Sequence, residues 1–181
     1  TEGLPLLHIR KPDFSELKMA KFIHQIKLDF RDRIVLHNHH ALAEDFGINR
    51  FHFSEKERKQ SHDSHARFSK PCRYSTSTHS IKDFNSLGSD FDYAFLSPVF
   101  KSISKENYHP KKDLFEETKS RTNYKTKVIA LGGIDSKNIQ KVLQNGFDDI
   151  ALLGGIWNHE NPLKQFKLCQ QIVLSHLQSQ V

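Results

Sequence analysis

Short apolar runs alternate with helix-like stretches along the whole chain, and that alternation restricts it to α/β folds built on a parallel sheet with right-handed crossovers. Strands are expected over 4–9, 34–37, 50–53, 73–76, 93–96, 127–131 and 149–153. Behind Asp13, a candidate cap, Phe14, Leu17, Phe22, Ile23, Ile26 and Leu28 recur near helical period. Ala41 to Phe46 reads as a short helix closed by Gly47. Ser80 to Leu87 is another, and a long loop through Lys112 leads to a helix beginning near Asp113. Asp135 is the expected cap of a helix carrying Ile139, Val142 and Leu143, and a last helix runs from about Pro162 to Leu177. The charged, weakly periodic stretch from Glu55 to Lys70 has room for one short helix.

Seven such strands suit an open doubly wound sheet or a (β/α)8 TIM barrel short of one strand. Short apolar strands and two glycine pairs near the end favour the barrel. A barrel lacking a strand would expose an unpaired edge. Because the sequence opens into a strand without an initiator Met, a first strand and most of its helix are expected to precede Thr1. No repeat or linker divides the series, so 1–181 reads as a single, N-terminally incomplete domain.

With 181 residues, 36% of them hydrophobic, the chain can bury one core. No apolar run approaches the ~20 residues of a membrane-spanning helix, so no membrane partner is expected. Cys72 and Cys169 are the only cysteines, too few and too distant for a disulfide framework, and a reducing cytoplasm is the simplest compartment. The net charge of +6 favours anionic partners. Scattered basic residues speak against nucleic acid, and the alternation Arg50-Phe51-His52-Phe53 is better read as strand pleat. A small phosphorylated ligand fits the charge equally well.

The expected strand ends gather the chemistry. The runs Val128 to Ile134 and Ile150 to Ile156 each stop on a glycine pair, Gly132-Gly133 and Gly154-Gly155. Adjacent tips of bare backbone N–H groups, near a helix start, suit a phosphate. The other ends carry His8-Ile9-Arg10-Lys11, His37-Asn38-His39-His40, Ser54 to Glu57, Ser77-Thr78-His79-Ser80 and Ser97 to Lys105. Lys and Arg neutralise an anion's charge while hydroxyls and amides saturate its lone pairs. His37, His39 and His40 also invite a zinc-hydrolase reading with His52 or His79, but that leaves the glycine tips and Lys105 without a role.

Taken in order, His8-Ile9-Arg10, Ser77-Thr78-His79-Ser80, Ser97-Pro98-Val99-Phe100 with Ser102 to Lys105, and Ala130 to Ile134 resemble the thiamine-phosphate synthase and thiazole tautomerase superfamily. The resemblance implies a transferase of thiamine biosynthesis. A pyrimidine-methyl diphosphate loses diphosphate, and the nitrogen of a thiazole phosphate captures the carbocation. It further implies Arg10, Lys105 and Ser77 around the diphosphate as catalytic groups, and Ser102 and Ser104 binding anionic oxygens. Gly132, Gly133, Gly154 and Gly155 would surround the thiazole phosphate. His8, Lys11 and His37 stand at the remaining substrate-facing positions, and Mg²⁺ would fall to Asn38 and Glu57.

Several positions depart from the family pattern. His8 replaces a glutamine, Lys11 is displaced by one residue, and His37-Asn38 replaces an Asn-Asp pair, removing a magnesium carboxylate. The tautomerase branch carries its proton-transfer histidine where this chain has Pro98, so that isomerase is the alternative, as is a non-catalytic relative that keeps the phosphate pocket. Oligomeric state is not legible.

Overall fold

In the computed structural model, residues 2–60, 71–101, 103, 110 and 112–179 are described. They form two compact units, Thr1–Thr76 and Ser77–Val181.

The first unit carries β1 (Leu7–Ile9), β2 (Ile34–Leu36), β3 (Arg50–Phe53) and the first four residues of β4 (Arg73–Thr78), all parallel. The register pairs Ile9 with Leu36, Leu36 with Phe51, and His52 with Ser75. Ile9, Ile34, Val35, Leu36 and Phe51 are buried, as a sheet covered on both faces requires. Helix α1 (Glu16–His24) buries Met19 and Ile23, one turn apart, completely. Its cap is Ser15, not Asp13: the extended Ser15 backbone lets Oγ accept the Lys18 N–H at 3.3 Å. The helix is also shorter than the apolar period suggests, because 28–33 closes into 3-10 turns and leaves Leu28 exposed. Helix α2 (Ala43–Phe46) ends on Gly47 at φ 67°, as expected. Helix α3 (Glu55–Gln60) occupies the start of the charged stretch, whose remainder lies outside the described residues.

The last two residues of β4 belong to the second unit. Thr78 Oγ1 donates to the Phe95 carbonyl and the Thr78 carbonyl accepts from Ser97 N–H, tying β4 to β5 (Phe91–Leu96). β6 (Lys127–Leu131) and β7 (Asp149–Ala151) follow in parallel, Ala94 beside Val128 and Ala130 beside Ile150. Hydrogen bonding thus runs in chain order through seven parallel strands, each reached by a crossover. Ser80 caps α4 (Ile81–Asn85) and Asp113 caps α5 (Leu114–Thr118), both through side-chain oxygens. Before α6 (Ile139–Leu143), Asp135 starts the turn through its carbonyl, while the capping position itself is Asn138. β7 ends two residues earlier than expected because α7 (Gly154–Trp157) begins at the glycine pair. Helix α8 (Pro162–Gln178) starts on Asn161, whose Oδ1 accepts the Lys164 N–H.

Phe84, Ala94, Leu96, Val128, Ala130, Ile139 and Val142 form a core fully removed from water. At the start of β6, Arg121 grips both oxygens of Asp148 at 3.1 and 2.8 Å and donates to the Thr126 and Asn123 carbonyls. Asp148 also accepts the Val128 N–H at 2.7 Å. A bidentate pair of this kind, its guanidinium buried and its carboxylate at the surface, fixes where β6 enters the sheet. No helix among the described residues is long and apolar enough to cross a membrane.

Candidate functional site

Two groups of candidate residues lie at strand ends, one in each unit. In the first unit, His8 of β1, His37 just past β2 and His52 of β3 meet. His37 follows Leu36, the partner of Phe51, so it stands level with His52 across the sheet. The His37 and His52 rings stack with centroids 4.2 Å apart, and His8 meets both edge-on. His8 Nδ1 lies 2.9 Å from His37 Nε2. Burial pushes His8 down to about 4. Burial, then the charges of His8, Arg10 and His40, push His37 down to about 3. His52 is only 2% exposed, and burial, then its neighbouring imidazoles and Arg10, hold it well below the ordinary range. All three are neutral imidazoles at pH 7.

The zinc-type grouping expected from sequence is therefore partly redrawn. His39 bonds the Phe14 carbonyl at 2.7 Å, and His40 bonds the Leu36 carbonyl and packs on Phe51 and Phe53. Neither belongs to the cluster, and His8 takes their place. The signal was available in the strand period: residues level with one another on adjacent parallel strands share a face.

Arg10 is exposed just past β1, near enough for its charge to act on His37 and His52. The Lys11 ammonium lies over the Phe14 and Phe22 rings, 5.6 and 5.8 Å from their centroids, while its carbonyl accepts from Asn38 Nδ2. Asn38 Oδ1 is buried and accepts no hydrogen bond among the described residues. Glu57 is occupied locally: Oε2 accepts from both the N–H and the hydroxyl of Ser54, whose Oγ accepts the Glu57 N–H. That reciprocal pair is a capping box for α3.

Magnesium was expected at Asn38 and Glu57. One neutral oxygen and one carboxylate engaged in a helix cap are a poor donor set for an oxygen-seeking ion. Among the described residues, the donor group that converges consists of three imidazole nitrogens within 4.8 Å of one another. These residues do not fit Mg²⁺.

In the second unit the loop after β5 is laid onto the tip of β6. It begins with a cis Ser97–Pro98 bond, then Val99 N–H donates to the Leu131 carbonyl and Phe100 N–H to the Gly132 carbonyl, both at 3.0 Å. Such an approach needs the glycines. A Cβ on Gly132 would sit 2.9 Å from Pro98 Cα, and one on Gly133, at φ 66°, would collide with the Lys101 carbonyl and Phe100. A Cβ on Gly155 would strike the Ile134 carbonyl, so the two glycine tips abut. Gly154 is looser, with Ile103 Cβ 3.2 Å from an added methyl. Among the described residues no protein acceptor takes the N–H of Gly133, Gly154 or Gly155, which leaves these donors to a ligand or water.

Ser77 is half-buried at the end of β4. His79 bonds the Ser97 carbonyl at 2.8 Å, bridging to the neighbouring loop. Lys105, Ser102 and Ser104 lie outside the described residues.

Comparison with known proteins agrees with this layout. The matched stretch of a thiamine-phosphate synthase from Prochlorococcus marinus (strain AS9601) is 35% identical over 79 residues, 43% of this chain but only 22% of that relative. One from Streptococcus suis (strain 98HAH33) is 33% identical over 42% of the chain and 34% of its own length. The chain thus matches about a fifth to a third of the length of these curated relatives. The crystal structure of thiamine phosphate pyrophosphorylase from Bacteroides thetaiotaomicron superposes with TM-score 0.72 at 27% identity, covering 95% of this chain and 85% of that one. The family model described as thiamine monophosphate synthase, TMP-TENI, matches residues 1–156, and the chain belongs to that family.

Proposed function

We propose that this protein is a thiamine-phosphate synthase whose seven parallel strands belong to a (β/α)8-type barrel. It joins a pyrimidine-methyl diphosphate to a thiazole phosphate and releases diphosphate. The observation that carries this reading is the abutting pair of glycine tips, whose Gly133, Gly154 and Gly155 N–H groups have no acceptor among the described residues, in a chain of this family. Those amides would hold the thiazole phosphate, since fixed N–H donors at a helix start lower the energy of a phosphoryl oxygen without a side chain's flexibility.

The diphosphate is the leaving group, and its departure puts negative charge on the bridging oxygen. Arg10 and Lys105 would neutralise that charge, and Ser77, Ser102 and Ser104 would donate hydrogen bonds to it. The carbocation left behind needs exclusion of water and a nucleophile already aligned, which binding both substrates together supplies. His8, Lys11 and His37 would border the substrates. Magnesium would ordinarily help the leaving group. Asn38 and Glu57 do not supply the donor set it needs. Isomerase chemistry of the tautomerase type lacks its proton carrier at Pro98, which has no titratable group.

The test is to incubate the protein with both phosphorylated precursors, with Mg²⁺ and separately with Zn²⁺, and to separate the products by chromatography. Thiamine phosphate and diphosphate in equal amounts are expected. A folded protein that binds thiazole phosphate but makes neither product with either metal would overturn the synthase reading in favour of a binding relative.

A further inference from the structure

We propose that His8, His37 and His52 form a binding site for a transition-metal dication of the zinc class, with a fourth position open to water or an anionic oxygen. The site lies within the first unit and does not rest on the synthase reading.

Three observations carry it. The first is convergence: one ring nitrogen from each histidine lies within 4.8 Å of the other two. In a tetrahedral zinc site with Zn–N near 2.0–2.1 Å, ligand nitrogens stand roughly 3.4 Å apart. The 2.9 Å pair, His8 Nδ1 and His37 Nε2, has to open slightly and the widest pair, at 4.8 Å, has to close by about 1.4 Å. The His37 ring, stacked on His52 at 26°, has to turn about its side-chain torsions so that both in-plane lone pairs meet one ion. The second is orientation. Ser75 Oγ donates its only proton to the Phe51 carbonyl at 3.1 Å. It therefore accepts the contact from His52 Nδ1 at 2.9 Å, and Nδ1 carries the His52 proton. With Nδ1 held by the serine, Nε2 is the nitrogen through which His52 would take the metal, and the serine is the outer partner that fixes a metal-bound imidazole's tautomer.

The third is donor chemistry. Three neutral imidazoles suit zinc, copper, nickel or cobalt and are a poor match for magnesium. Without metal, one proton is shared between His8 Nδ1 and His37 Nε2. On binding, that proton moves to the far nitrogen of the same ring, and each ligand stays neutral. The full +2 charge remains at the site, and Arg10, near enough to act on two of the rings, adds to it. An anion in the fourth position relieves both.

The experiment uses the whole chain, stripped with chelator and dialysed. Zinc affinity is measured by competition with a chromophoric chelator, and Co²⁺ is added as a spectroscopic probe. One ion per chain, a submicromolar Kd and visible cobalt bands of tetrahedral intensity are expected. His8→Gln and His37→Gln should each weaken zinc at least tenfold and dim the cobalt bands, with circular dichroism unchanged. The exposed control His159→Ala should keep wild-type affinity. Zinc binding no tighter than about 10 μM, octahedral-type cobalt bands, or an affinity indifferent to both glutamine variants would overturn the proposal. If both variants unfold, the wild-type stoichiometry and cobalt spectrum decide alone.

Discussion

The glycine tips make the sharpest prediction, because two neighbouring glycines should fail in different ways. In Gly133→Ala the new Cβ is placed at φ 66°, where a left-handed backbone costs an L-residue about 1–2 kcal/mol. It also runs into the Lys101 carbonyl and comes within 2.7 Å of Phe100 Cβ. The loop after β5 would have to lift off the β6 tip, putting at risk the hydrogen bond from Phe100 N–H to the Gly132 carbonyl, which is worth roughly 1 kcal/mol. With an overpacking penalty of about 1–3 kcal/mol, the total is near 4 kcal/mol. At a urea slope of about 2 kcal/mol/M, the midpoint should fall by ~2 M. Gly154→Ala has no such strain, since its nearest new contacts are Ile103 Cβ at 3.2 Å and Asn158 Nδ2 at 3.4 Å. Its midpoint should move by less than about 0.5 M, while the methyl at the mouth of the amides weakens thiazole phosphate at least tenfold by calorimetry. A Gly133→Ala protein with the wild-type midpoint would refute the packing argument. Undiminished phosphate binding in a folded Gly154→Ala protein would refute the amide cradle.

Other substitutions test the remaining assignments. Asp148→Ala removes the acceptor of both Arg121 contacts and of Val128 N–H, and leaves a largely buried guanidinium. A loss of about 2–4 kcal/mol in urea unfolding is expected, and a loss below about 0.5 kcal/mol would show that the clasp is incidental. Burial pushes the Glu117 carboxyl up, but the Ile81 N–H and the Lys112 ammonium outweigh it and hold the group below its ordinary 4.5. A depressed carboxyl contributes stability above the unfolded value and loses it as pH falls through the folded one. The stability gap between wild type and Glu117→Gln should therefore shrink below pH 4.5, and a gap constant from pH 7 to 3 would remove that account. Lys105→Ala should cut turnover at least a hundredfold with an unchanged thermal melt, and near-normal rates would take the lysine out of the diphosphate site. Glu57→Gln keeps the capping box with Ser54, so both stability and metal response should match wild type. An altered metal titration would return Glu57 to the metal.

How much of this was legible in sequence depends on the range of the interaction involved. Strand positions and the Gly47, Ser80 and Asp113 termini were readable because pleat, period and capping are local. The errors at α1 and β7 are local too, but each turns on which of two adjacent options wins. Ser15 reaches the Lys18 amide where Asp13 does not, and the Gly154-Gly155 pair starts a helix instead of ending a strand. Glu57 shows a subtler failure. Its position invited a metal role, whereas the Ser54-x-x-Glu57 spacing already spelled a capping box.

The histidines mark where sequence reading stops. Adjacent in the chain, His37, His39 and His40 looked like one group, yet two of them are spent on the Phe14 and Leu36 carbonyls. The partners of His37 come from 29 residues before it, His8, and from the next strand, His52. Only the register that sets Leu36 beside Phe51 brings the last pair level, and register is a property of the assembled sheet. By the same argument, positions 8 and 37, two places where the sequence departs from the pattern that it resembles, lie beside one another in space. His8 on β1 and the histidine that follows β2 put ring nitrogens 2.9 Å apart, beside His52, whose Nδ1 contacts Ser75. What reads along the chain as the loss of one magnesium carboxylate at Asn38 stands, across the strands, beside a cluster of three imidazole nitrogens. A metal held by these rings would be of a different class from the magnesium that the resemblance implies.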